Sequence, residues 1–122
     1  MTSRLAKLAL AGTMWTAVAA GAHTPSPDAI VARLGGETAR RDAGVESAAR
    51  DARLPRLLVV RVGPAWTALP AERRAALAAA WWQAWRHAVP QGVVAILDAA
   101  TGRSVVSFAA DGTPRIAQAK RR

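Results

Sequence analysis

The sequence predicts an α+β fold, a small β-α-β-β domain in which one helix covers a three-stranded mixed sheet, preceded by a signal peptide and a partly disordered tether. Three observations carry that expectation. The β-branched apolar run "LLVVRV" (Leu57 to Val62) closes on Gly63-Pro64 and reads as a buried strand. Residues 70–89 repeat their apolar side chains at helical spacing. Two further short apolar runs, 93–97 and 104–108, flank the turn-rich stretch "DAATGR" and read as a hairpin.

Within the helix, at about 100° per residue, Leu77, Ala78, Trp81, Trp85 and Ala88 gather on one side. Glu72, Gln83, Arg86 and His87 gather opposite, and Trp82 falls on the flank of the apolar stripe. Arg74 lies near the stripe, where its stem can cover apolar surface while its head stays in water. Pro90 and Gly92 end the helix. The first and second strands are then expected to be parallel through a right-handed crossover, and the third antiparallel to the second. This element order resembles in outline the small βαββ modules of exported bacterial proteins, BON-type domains among them, with no shared motif.

Four regions follow from the pattern. Residues 1–22 read as a secretory signal: a basic start (Arg4, Lys7), an apolar run from Leu8 to Val18, and Ala20-Gly21-Ala22 as a cleavage site that leaves His23 as the first mature residue. The run is short for an uncleaved membrane anchor, which needs roughly 20 apolar residues. Residues 23–55 read as a flexible or partly helical tether, rich in Ala, Arg and Asp, with Gly35-Gly36 and few large apolar groups. A short helix can start there, with Ser26 as cap, Pro27 at the first position and Asp28 in the first turn. Its stripe is Ile30, Val31 and Leu34. The α/β domain spans 56–117, with Asp111-Gly112 marking its last turn, and a basic tail, 118–122, closes the chain. The expected location is therefore the bacterial periplasm or exterior, with N-terminal membrane anchoring as the alternative.

Cysteine is absent from the 122 residues, so disulfides, thiolate chemistry and sulfur-based metal sites are excluded. Formal charge is +9, and removal of Arg4 and Lys7 with the signal leaves 15 basic against 8 acidic residues, or +7. That balance suits polyanionic neighbours, although arginine far outnumbers lysine in the manner of GC-rich coding.

Much of the apolar content is alanine, which buries little. Each tryptophan can bury about 150 to 250 Å², so Trp66, Trp81 and Trp85 are expected to supply the core of a domain too small to be stable on alanine alone. Trp82, with Arg86 and His87, is the candidate interaction surface. One helix cannot cover both faces of a sheet, so the second face is expected to lie under Ile30 and Leu34 or under another chain.

Catalytic signals are weak. His87 needs a carboxylate to orient it as a general base, and Asp98, the acid at a strand end, has ordinary turn chemistry open to it. A free His23 amine and imidazole suit Cu(II), with His87 as a third nitrogen. Gly35-Gly36 and Gly63-Pro64 lack the spacing and the lysine of a nucleotide cradle. The reading is an exported, non-catalytic domain, without cofactor or small-molecule substrate, that associates with a protein or with itself as a homodimer. One alternative is polyanion binding, to nucleic acid, anionic lipid at a membrane surface or glycan. The other is a copper or weak hydrolytic site using His23 or His87.

Overall fold

A computed structural model of the chain describes residues 25–117. The proposed signal, His23 and the basic tail lie outside the described residues. Helix α1 (Pro27–Leu34) begins as its sequence dictates: the Ser26 hydroxyl accepts the Ala29 N–H at 3.1 Å, Pro27 opens the helix and Asp28 sits in its first turn. After the Gly35-Gly36 break, α2 (Glu37–Ala43) runs to Gly44, whose φ of +74° reverses the chain into β1 (Val45–Arg50). A Cβ on Gly44 would lie 2.2 Å from the Trp66 backbone nitrogen, so both the dihedral and the space demand glycine.

The rest of the chain gives β2 (Leu57–Val62), a one-turn helix α3 (Pro64–Thr67), the long helix α4 (Ala71–Ala88), β3 (Val93–Asp98), β4 (Ser104–Phe108) and β5 (Pro114–Ile116). One mixed sheet holds all five strands in the order β1-β2-β3-β4-β5. The pair β2/β3 is parallel across α4 and β3/β4 is antiparallel, which is the β-α-β-β unit read from the sequence.

Two features differ from expectation. The sheet has five strands rather than three, because β1 and β5 add antiparallel edges to β2 and β4. Residues 27–50, expected to be a tether, instead supply α1, α2 and β1 to the same core, so α4 does not cover the sheet by itself. Few large side chains were needed for this. Ile30, Leu34, Ala43 and Val45 are all buried, and α1 packs beside α4 and over β1.

The core lies between that helical layer and one face of the sheet. Leu58, Val60 and Val62 of β2, Val94 and Ile96 of β3 and Val106 of β4 point into it, alternating with the residues of the other face. From the helices come Trp66, Ala78, Trp81 and Trp85. Trp66 and Trp81 stack with centroids 5.5 Å apart. Arg74 is half-buried, its Nε donating to the Leu69 carbonyl at 3.1 Å, in keeping with a stem laid along the apolar stripe.

The two most buried indoles differ in one respect. Trp85 Nε1 donates to the Arg56 carbonyl at 2.8 Å, whereas the Trp66 Nε1 is buried without a hydrogen-bond partner. A satisfied donor contributes to stability and an orphaned one detracts from it by about 1 to 3 kcal/mol. Phenylalanine at either site removes similar volume, so W85F is expected to be more destabilising than W66F by about 1 to 2 kcal/mol. Urea unfolding of the two variants checks this, and equal losses would show that the Trp66 N–H is not orphaned.

Candidate functional site

The structure brings Trp82 and Arg86 together. The Arg86 guanidinium sits 5.0 Å from the Trp82 ring, and on β4 Phe108 stacks against that ring at 6.4 Å with a 26° interplanar angle. Trp82 is half-buried and packs against the core. Its six-membered ring is also backed by Gly112, where an added Cβ would fall 2.4 Å from Cε3 and Cζ3. Trp82 is thus a strut that seats the β4–β5 hairpin on α4, with one margin left open.

That margin lines a cleft of about 340 Å³ between the beginning of β3 and the end of β4, walled by Trp82, Arg86, Val94, Val106 and Phe108. The cleft exists because the β3/β4 ladder pairs Ile96 with Val106 and Leu97 with Ser104, while the first residues of β3 run on beside β4 without further pairing. A bulge at Val105 bends the strand away. His87 is exposed in the last turn of α4 and does not line this cleft.

Asp98 stands at the far end of β3 from His87, about 16 Å of strand away at the usual rise per residue. Its carboxylate is engaged in its own turn, accepting from the Thr101 N–H and Oγ1 at 2.9 Å each. It does not orient His87. Asp98 and Glu46 instead line a second cleft, of about 560 Å³, outside the carboxyl ends of β2 and β3. No group of three or more His, Asp or Glu side chains suited to a metal ion occurs among the described residues. In the β4–β5 turn, the Thr113 backbone N–H holds the Asp111 carboxyl below its ordinary value. The turn bond is therefore present above the ordinary carboxylate range and is lost as pH falls through the lowered value.

The opposite face of the sheet has no covering layer among the described residues. On it Leu57 pairs with Val93, Val59 with Ala95 and Arg61 with Leu97 across β2 and β3. None of these belongs to the core, and Val93 is 42% exposed. The expectation that Ile30 and Leu34 cover this face is overturned, because both are buried in the helical layer beside α4.

Charge is distributed unevenly. The described residues hold 12 arginines but one ion pair, Arg41–Asp42 at 3.4 Å, and that pair is exposed. Arg50, Arg53 and Arg56 occupy one corner, at the end of β1 and in the β1–β2 loop. Sequence reasoning missed this corner because the loop fell inside the presumed tether. Its arginines recur every third residue, a pattern that was visible. No family model matches the chain, and neither a curated protein nor a solved structure matches it.

Gly112 tests the strut. Its φ is +92° and Trp82 fills the space where a side chain would go. G112A is expected to destabilise the fold by about 2 to 3 kcal/mol, combining backbone strain with a clash. W82A should also lower stability, by loosening the hairpin. Thermal melts of both variants check this, and unchanged melting of G112A would show that the hairpin is not seated on the indole.

Proposed function

We propose that this chain is a non-catalytic association domain that pairs with a second copy of itself through the uncovered face of its sheet. The observation behind this reading is the apolar strip formed by Leu57, Val59, Val93, Ala95 and Leu97, which lies outside the core and has no covering layer among the described residues. Five strands spaced about 4.8 Å apart, the longest about 20 Å and β5 about 10 Å, make a face of at most roughly 20 by 20 Å. Stable interfaces bury about 800 Å² per partner, so a face of this size supports a weak, reversible contact rather than a permanent one. A second copy satisfies it through a two-fold arrangement in which each strip covers the other, as in aligned sheet packing.

Charge limits the affinity further. The strip is flanked by Arg61 on β2 and Arg115 on β5. Two copies therefore bring like charges to the rim, where salt screens them. Location follows the sequence: the proposed signal places the domain outside the cytoplasm, where chains that lack cysteine are indifferent to the oxidising surroundings.

Light scattering of a chain beginning at His23 tests the reading. The weight-average mass is expected to rise from monomer toward dimer between about 10 µM and about 1 mM protein, and to rise more readily at high salt. Val59→Lys, at the centre of the strip, should abolish the rise while leaving the fold intact, because its aliphatic stem still lies on the sheet. A monomer at every concentration, or a dimer indifferent to Val59→Lys, would overturn it.

A further inference from the structure

We infer that the corner formed by the β1–β2 loop and the start of β3 docks on an anionic lipid bilayer, with Leu54 entering the headgroup region and arginines binding the phosphates around it. Leu54 and Val93 are the two large hydrophobic residues exposed among the described residues, at 41% and 42%. Both adjoin Leu57, whose N–H donates to the Leu54 carbonyl at 2.8 Å and which pairs with Val93 across β2 and β3. Arg50, Arg53 and Arg56 surround them in sequence, and Arg86 lines the cleft that reaches Val93. An exposed apolar tip ringed by cations is the arrangement that suits a charged membrane surface.

The leucine is held out by a built loop. Asp51 Oδ2 accepts the N–H groups of Arg53 and Leu54 at 3.0 and 2.8 Å, and the Asp51 N–H donates to the Leu57 carbonyl at 2.9 Å. Arg50 Nε donates to the Pro55 carbonyl while its guanidinium lies 5.7 Å from the Trp85 ring. The Arg56 carbonyl takes both the Trp85 Nε1–H and the Val93 N–H, at 2.8 Å each. The lone carboxylate of the loop is thereby engaged with backbone and forms no ion pair with the arginines. A conformation fixed in this way loses little entropy when its tip is buried in lipid. Nucleic acid would meet the same charges but gains nothing from Leu54, and base stacking has no ring to use here because Trp85 is fully buried.

The bilayer proposal does not depend on the sheet-face dimer: the two share Val93, but Leu54 and the loop arginines lie outside the dimer strip, and the test rests on them. A chain beginning at His23 keeps every core residue and removes the apolar run of residues 1–22 from the comparison. Sedimentation with vesicles of phosphatidylglycerol and phosphatidylcholine in equal parts is expected to carry the protein down, and vesicles of phosphatidylcholine alone to leave it in solution. R53Q/R56Q should lower the partition coefficient roughly 30-fold, about fivefold per arginine, and L54S roughly tenfold. Raising salt from about 0.1 to about 0.5 M should release the protein. Because the chain has no native cysteine, Leu54→Cys carries an acrylodan label uniquely, and its emission should shift to the blue on the mixed vesicles while a Thr67→Cys label does not. Equal binding to phosphatidylcholine, no binding to either vesicle, or binding to anionic vesicles or duplex DNA that L54S leaves unchanged would each overturn the proposal.

Discussion

The fold depends on indole rings doing what an alanine-rich helix cannot. Eight of the 18 residues of α4 are alanine, yet this helix must shield the centre of the sheet. Trp81 and Trp85 supply the missing apolar area, and Trp66 comes in from the one-turn helix that follows β2 to stack on Trp81. Trp85 also acts as a joint. By donating to the Arg56 carbonyl, which receives the Val93 N–H as well, it ties α4, the β1–β2 loop and the entry to β3 at a single point. Removing such a group affects packing and a buried polar network together, so its effects on neighbouring sites do not add.

The central unit was legible in the sequence because its strands are conventional. "LLVVRV" and "GVVAILD" are dense in β-branched residues, and the helix between them repeats Leu77, Trp81 and Trp85 at every fourth residue. The caps of α1 were legible too, since Ser26, Pro27 and Asp28 act through local chemistry. The edges were not. β1 reads "VESAAR", with alanine where an interior strand has valine, and an extra residue at Glu46 breaks its alternation. β5 is three residues long and opens with proline, which an edge strand tolerates because no ladder bond is asked of the N–H that proline lacks. Composition made residues 23–55 look unable to order, but that argument counts only the surface a segment buries on itself. Ile30 and Leu34 reach burial by using apolar surface that α4 and the sheet provide.

The candidate surface was half legible. Helical angles placed Trp82 on the flank of the stripe and Arg86 on the polar face, and the structure joins them through a cation–π contact. Helical angles could not show that Phe108 and Gly112 come across from the hairpin to pack on the same ring, because that contact is set by the β4–β5 turn. His87 shared the polar face of α4 with Arg86 and little else. Asp98, the acid considered for it, is at the opposite end of β3, a separation that strand direction alone dictates once the crossover is known.

Two unpartnered surfaces remain, and they follow from the same layering. All described helices gather on one side of the sheet, so the other side keeps its apolar residues near water, and the chain blunts that face only with small side chains and arginines at its margins. At the corner, the loop between β1 and β2 must turn tightly beneath Trp85, and the bonds that make the turn also fix the direction of Leu54 and its arginines. A hydrophobic residue that protrudes from a disordered loop can fold back against the protein at little cost. Leu54 protrudes from a loop whose backbone is bonded at both ends, so its exposure is imposed by the fold rather than by a lack of structure.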